Sequence, residues 1–398
     1  MIDPQAEHSL TRGSQVVDVT AFDTARLQTS WDLVAQHGDQ VPLFFYSTLF
    51  VTHPHTRDMF PLSMEGQRDK LVTALGRVVS HVDRLASVTP ILEQLGRDHR
   101  RFSVTRDHYP AVGQALVATL EHFIGGEWTD ELKADWSAAY EVVAGVMISA
   151  AEADAQAPPW YEAAITGFER RTASVAVLRL TPDTPIPYRA GQSVAVETAA
   201  RPRLWRYYTP ATLPDPTGSF ELHVRAVGGG PVSTALVHGA HLGDLVRCGA
   251  PVGQHLTLDP SSSLDLLLIA GGTGLAPMKA LIEQLAVEGG RRRVQLFWGG
   301  RRHFDLYDLP AIERLAAQDW VRFIPCVSEE PPGANATRHG SVIEVALRYG
   351  VLADQDVYVC GPPAMVDATV DGLLEAGVPA RRVRYEHFGY KEVAGDEP

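Results

Sequence analysis

Cysteine is nearly absent: the chain of 398 residues holds three, Cys248, Cys326 and Cys360. No two of them stand in a CxxC spacing, so neither a zinc ribbon nor an iron–sulfur cluster is written into the sequence, and a disulfide scaffold is excluded. Long apolar runs are absent as well. None approaches the roughly 18 residues of a membrane helix, and the opening MIDPQAEHSLTRGSQ lacks the basic and apolar segments of a secretion signal. The expectation is a soluble, cytoplasmic protein without stable membrane association. Basic clusters are scarce: no run of Lys or Arg is longer than Arg291–Arg293, and 35 basic against 48 acidic residues leave a formal charge of −13. Such a surface repels a phosphate backbone, which excludes nucleic acid as a partner.

Hydrophobic residues make up 45% and charged residues 21% of the chain, ordinary values for a globular protein. At about 150 residues per domain the length suggests two or three domains, and the pattern favours three. Residues 1–20 are polar and aperiodic and read as a flexible arm. Residues 21–154 are helical throughout, 155–262 read as short antiparallel strands, and 263–398 alternate strand and helix. The fold class is therefore multidomain: all-α, then an antiparallel β-barrel, then an α/β doubly wound parallel sheet. A monomer acting on small molecules is expected.

The centre of the last part is LDLLLIAGGTGLAPM, residues 264–278. Leu266 to Ala270 carry no charge and no alternation, as in a strand covered on both faces. Gly271, Gly272 and Gly274, with Thr273 among them, then make a turn into a helical stretch. Strand, glycine loop and helix together aim free N–H groups and a helix dipole at one point, which suits a dinucleotide pyrophosphate. Pro277 stands where the usual Rossmann fingerprint has its third glycine. Further apolar runs at Val294–Trp298, Val321–Val327, Val357–Cys360 and Val383–Tyr385 complete a parallel sheet. Ser341 and Glu344 read as a capping box, and CGPPAM at 360–365 falls past a strand's carboxyl end, where such sheets bind ligands.

In the helical part Phe45 with Leu49, and Tyr46 with Phe50, are i,i+4 pairs on a strongly apolar helix. His99 follows Leu92 and Leu95 on an inward face, and Met64, Gln67 and Leu71 form a second inward stripe. Taken alone, an inward histidine is more often a core residue than a ligand. However, HPHTRDMF (53–60), Gln67, LGRDHRRF (95–102), HYPAVGQAL (108–116) and ADWSAAYEVVAGVMISA (134–150) together resemble the globin domain of the flavohaemoglobins. The resemblance implies haem b, with His99 as iron ligand, Phe60 as the aromatic wedge, Tyr46 and Gln67 as a distal polar pair, Leu71 beside them and Tyr109 orienting His99. One departure stands out: the family's proximal glutamate falls on Ala151. Glu152 is one residue late, a turn of about 100° around the helix, so it is not expected to reach His99.

An Ala/Pro-rich linker, AEADAQAPPWYEA, leads into the barrel. There Val175 and Val177, and Phe220, Leu222 and Val224, alternate with Ala176 and with Glu221, His223 and Arg225, the period of half-buried strands. RYYT at 206–209 offers an arginine fork, a flat ring and a hydroxyl, and Gly228 to Gly230 lead into Val232, Ser233 and Thr234, a second phosphate cradle. These motifs are similar to those of the ferredoxin-reductase superfamily. That likeness implies FAD seated on Arg206, Tyr208, Thr209, Gly229, Gly230, Val232 and Ser233, with Tyr188, Glu386 and Phe388 near its ring. It also implies NADH or NADPH on Gly271, Gly272, Thr273 and Gly274 with Cys360, Gly361 and Pro362. Arg301 and Arg302 could bind a 2′-phosphate, whereas the resemblance favours NADH. The family's activity is nitric oxide dioxygenation, in which O2 and NO become nitrate with electrons from NAD(P)H passing through FAD to haem. An NAD(P)H-driven flavin reductase or oxidase, and a haem-based O2 or NO sensor, are the rival readings.

Overall fold

The computed structural model describes residues 22–290, 292–330, 338–350 and 354–388; the arm expected over 1–20 lies outside them. The chain divides into two compact units that meet between Ala157 and Pro158, inside the Ala/Pro-rich linker.

The first unit is all-helical: α1 (Thr24–Ala35), α2 (Gln40–Thr52), α3 (Glu65–Ser80), α4 (Leu85–His99), α5 (Tyr109–Ile124) and α6 (Asp130–Ala153). Side-chain caps open two of these helices, with Asp23 accepting from the Arg26 N–H and Thr129 from the Leu132 N–H. Helix α4 lies directly on α6. A Cβ at Gly96 would sit 2.1 Å from the Met147 carbonyl oxygen, so only glycine lets the two backbones come this close. Their contact fixes the C-terminal turn of α4, where His99 stands.

The second unit opens with β1 (Tyr161–Arg170), β2 (Val175–Pro182), β3 (Val194–Thr198), β4 (Arg206–Tyr208), β5 (Phe220–Arg225), α7 (Pro231–His238) and β6 (Leu245–Cys248). The strands form an antiparallel sheet in the order β4-β3-β6-β1-β2-β5. A bridge between Pro210 and Leu222 brings its two ends together, giving a nearly closed barrel. The sequence predicts Glu221, His223 and Arg225 on a solvated face. His223 is instead buried, and so is Ala176. A second layer covers the His223 side, where Val175 and Val177 of β2 share a core with Leu275, Met278 and Tyr307, while Ala176 faces the barrel's own core with Leu178 and Val224.

That layer comprises β7 (Leu266–Gly271), α8 (Leu275–Val287), β8 (Val294–Gly300), α9 (Leu309–Leu315), β9 (Val321–Val327), β10 (Arg338–His339), α10 (Val342–Tyr349), β11 (Asp356–Gly361), α11 (Pro363–Glu375) and β12 (Val383–His387). Its strands are parallel, in the order β10-β9-β8-β7-β11-β12. Every residue of β7 and β11 is buried, as unbroken apolar runs in the middle of a two-sided parallel sheet must be. Ser341 and Glu344 form the reciprocal cap that opens α10.

Candidate cofactor sites

His99 ends α4 in the helical unit, one turn beyond half-buried Leu95. Its Nδ1 lies 2.7 Å from the Leu95 carbonyl oxygen and donates to it, which leaves Nε2 with no hydrogen bond among the described residues. Burial holds the imidazole pKa below its usual value, so the ring is neutral, the form that ligates a metal. Tyr46 is buried on α2, and its hydroxyl donates to the main-chain carbonyl of Gln67 at 3.3 Å. Desolvation pushes that phenol's pKa up. Phe60 stands edge-on to both Tyr46 and Phe50, with ring centroids 5.4 Å apart in each case.

Phe60, Met64, Leu71, Val72, Leu75, Leu95 and Val104 pack against the helical core yet stay only half-buried. Apolar side chains that face one another and remain half-covered are what a large, flat, apolar group would complete. With Leu95, which holds the His99 ring, and the Tyr46 phenol in this one cluster, the residues fit haem.

The proximal relay is absent. Tyr109 is buried, but its hydroxyl has no partner among the described residues, and desolvation raises its pKa to about 12. The expectation that Tyr109 orients His99 is thus corrected: the Leu95 carbonyl does so. Glu152 turns outward to Arg106, with contacts of 2.8 and 3.0 Å, as its one-residue offset predicts.

In the barrel, Arg206 donates to the Trp205 carbonyl through one terminal nitrogen, which leaves other donors of its fork for a ligand. Tyr208 lies beside it on β4, half-buried, and burial raises its pKa while Arg206 opposes. The Thr209 hydroxyl is buried 2.9 Å from the Ser193 hydroxyl. Gly229 takes a positive φ of 76°, the backbone that frees successive N–H groups in a loop. Gly230 caps α7, whose Val232 is buried; the Ser233 hydroxyl donates to the Gly230 carbonyl, 3.1 Å away. Ser233 shapes the loop by that bond, and Tyr188 is a barrel-core residue, its hydroxyl donating to the Thr212 carbonyl at 2.6 Å and its ring edge-on to Phe220.

The two nucleotide motifs come together at the carboxyl ends of β7 and β11. A Cβ at Gly274 would sit 2.0 Å from the Cys360 carbonyl oxygen, and one at Gly361 would sit 3.1 Å from the Gly271 backbone. Side chains are excluded on both sides because the two backbones pack on each other, with Met365 filling the space beside Gly271 and Gly361, and this packing fixes the strand ends that the two motifs share. Pro362 caps α11, while half-buried Thr273 sits in the turn before α8. Glu386 pairs in register with Cys360 across β11 and β12, and the Phe388 N–H donates to the Gly361 carbonyl. Glu386 also faces Gly253, whose added Cβ would lie 3.7 Å from its carboxylate.

Sequence reasoning missed two groups. Arg57 donates to the carbonyls of Phe60, Pro61 and Leu62 at 3.0 to 3.2 Å, clasping the turn that carries Phe60. His223, Tyr307 and Trp298 form a buried chain between barrel and nucleotide loop. The signal for the first was an arginine three residues before the wedge. For the second it was a histidine on a strand face otherwise read as solvated.

Comparison with known proteins matches three family models to successive parts of the chain: globin over residues 43–147, the oxidoreductase FAD-binding domain over 166–256 and the oxidoreductase NAD-binding domain over 268–371. The flavohemoprotein of Bacillus subtilis (strain 168) is 25% identical over 383 residues, which span 91% of this chain and 96% of that protein. The crystal structure of a flavohemoglobin from Malassezia yamatoensis, with FAD and heme bound, superposes with a TM-score of 0.74 at 20% identity, covering 92% of this chain and 98% of the other. The FAD/NAD-binding domain of a nitric oxide dioxygenase from Vibrio cholerae O1 biovar El Tor superposes with a TM-score of 0.52 at 24% identity, covering 57% of this chain and 98% of that one.

Proposed function

Because the chain is of the flavohaemoglobin type, a haem-binding globin followed by FAD- and NAD-binding oxidoreductase domains, we propose that it is a nitric oxide dioxygenase, turning NO and O2 into nitrate at the expense of NAD(P)H. The cofactors supply hydride acceptance, one-electron transfer and oxygen chemistry when bound; the protein supplies ligation, placement and electrostatics. The observation that carries the reading is that Leu95, whose carbonyl holds the His99 ring and leaves Nε2 unbonded, packs half-buried against the same apolar core as the buried Tyr46. His99 offers Nε2 to iron. The Tyr46 O–H, which donates to the Gln67 carbonyl at 3.3 Å, would turn its one proton from that carbonyl to a partly negative oxygen, a bond that apolar surroundings strengthen. Arg206, Tyr208 and Thr209 seat FAD, and the Gly271–Gly274 loop with Cys360 and Gly361 seats the nicotinamide.

NADH is the donor we propose. Arg301 Nε lies 3.6 Å from the Glu329 carboxylate at the ends of β8 and β9. That carboxylate opposes a 2′-phosphate and accepts a 2′-hydroxyl.

The test is rapid mixing of the oxygenated protein with nitric oxide. Loss of the oxygenated spectrum at a near-diffusional rate with one nitrate per haem supports the reading; slow decay without nitrate overturns it. The missing proximal carboxylate favours one second reading, a reductase passing electrons to a diffusible acceptor, for which NADH consumption would be indifferent to NO.

A further inference from the structure

Strand β5 meets the nucleotide-binding layer with three alternate side chains. Glu221, His223 and Arg225 share one face, as a period of two requires, and each reaches a different element. Glu221 accepts from Lys279 Nζ of α8 at 2.8 Å. The Arg225 guanidinium lies against Gly272, where an added Cβ would be 3.2 Å from it. Between them, the side chain of His223 is fully buried, with Nδ1 2.8 Å from the Tyr307 hydroxyl.

From Tyr307 the chain of contacts continues to the nucleotide loop. Its ring stands edge-on to the Trp298 indole, with centroids 5.4 Å apart at 89°, and Trp298 Nε1 donates to the Gly272 carbonyl at 2.9 Å. One barrel strand thus touches the same glycine by two routes, directly from Arg225 and through His223, Tyr307 and Trp298. Gly272 has a φ of +54°, a backbone state whose carbonyl direction is held by such contacts.

The protonation of His223 follows from its neighbours. Its Nε2 lies 3.9 Å from Asp308 Oδ2, which favours the proton on that nitrogen and leaves Nδ1 to accept from Tyr307. Asp308 also faces Lys279 at 3.8 Å and Arg171 at 3.6 Å. The carboxylates Glu221 and Asp308 stand against the cations Lys279, Arg171 and, on the same strand, Arg225, so a neutral His223 adds no further positive charge to the seam.

We propose that His223 is a positioning residue for hydride transfer: acting through Tyr307 and Trp298, it fixes the Gly272 carbonyl and so sets how the Gly271–Gly274 loop presents the nicotinamide to the FAD seat. This rests on reading that loop as the nucleotide site. A buried seam that served only to join the two layers would change stability alone. A relay ending on the loop changes the two-electron step in which the reduced nucleotide is oxidised and FAD is reduced.

The test compares the full-length holoprotein with H223L, Y307F, the H223L/Y307F double variant and H223N, in which an amide oxygen can take the place of Nδ1. Flavin reduction is followed by rapid mixing, with NADH and separately with dithionite, after FAD content has been matched. NADH-driven reduction should slow on the order of tenfold in H223L and in Y307F, no further in the double variant, and recover in H223N, while dithionite reduction is unchanged. Equal NADH rates in all variants, additive losses, or a parallel loss with dithionite would overturn the proposal. A wild type that NADH fails to reduce would instead remove the nucleotide-loop reading itself.

Discussion

The proximal nitrogen of His99 is held by a neutral partner, the Leu95 carbonyl at 2.7 Å. A carboxylate in that place would draw imidazolate character into the ring and strengthen its donation to iron; a carbonyl does so much less. Glu152 is taken by Arg106 on the surface, and Asp98, whose charge does act on the ring, pairs with Arg101 at 2.7 Å. In ferrous haem protein the iron–histidine stretch in resonance Raman should therefore fall in the range of carbonyl-bonded histidines, and E152Q should leave it where it is. A shift on that substitution would show a carboxylate acting on His99.

Tyr46 holds its hydroxyl in a desolvated position, so it stays protonated across the neutral range and keeps the one proton that it can turn from the Gln67 carbonyl to bound oxygen. Tyr46→Phe removes one hydrogen bond of about 1–2 kcal/mol. Oxygen should leave on the order of tenfold faster. An unchanged off-rate in flash photolysis would give the hydroxyl a structural part only.

Arg57 clasps three successive carbonyls beside Phe60. Arg57→Ala frees that turn, and at about 1–2 kcal/mol for the lost charged hydrogen bonds haem should transfer to an apoglobin acceptor several times faster. FAD content, which depends on the other unit, should not change.

The carbonyl of Cys360 leaves no room for a side chain at Gly274, where a Cβ would stand 2.0 Å away. Gly274→Ala must push the nucleotide loop off β11. NADH-driven flavin reduction should fall on the order of a hundredfold, as expected for a misplacement of about 1 Å, with haem and FAD still bound. Normal NADH kinetics in that variant would move the nucleotide elsewhere.

Acid should loosen the seam between barrel and nucleotide layer. Burial, aided by Lys279 and Arg171, holds the pKa of His223 well below its unfolded value, so nothing is lost above about pH 6.5. Below that pH the unfolded chain takes up a proton that the folded one refuses. Stability then falls by up to about 1.4 kcal/mol per pH unit from this one group. Chemical denaturation between pH 7 and pH 5 should be visibly flatter for H223L than for the wild type.

Much of this was legible in the sequence because strong local signals coincide with function. The unbroken apolar run at Leu266–Ala270 could only be a covered strand, and β7 begins at Leu266. Gly271, Gly272 and Gly274 marked a tight turn after that strand, and Gly272 takes a φ of +54° there. The one-residue offset of Glu152 predicted its departure from His99. What stayed hidden depends on contacts between segments far apart in the chain. Period two on β5 says that Glu221, His223 and Arg225 share a face, but not that a second layer covers it. Tyr188 and Ser233 matched motif positions, yet their hydroxyls are engaged by nearby carbonyls, which a motif does not record. The Tyr109 hydroxyl likewise has the right spacing from His99 and no bond to it.

Electrons should follow one route, from a nucleotide at the Gly271–Gly274 loop, through flavin, to iron held by His99. Adding NADH to the oxidised protein without oxygen tests it in a single cuvette. Bleaching of the flavin band followed by a ferric-to-ferrous shift of the Soret band, with the Soret band absent in His99→Ala, is the result the account predicts. A flavin that bleaches beside a haem that stays ferric, or a Soret band that survives in His99→Ala, would contradict it.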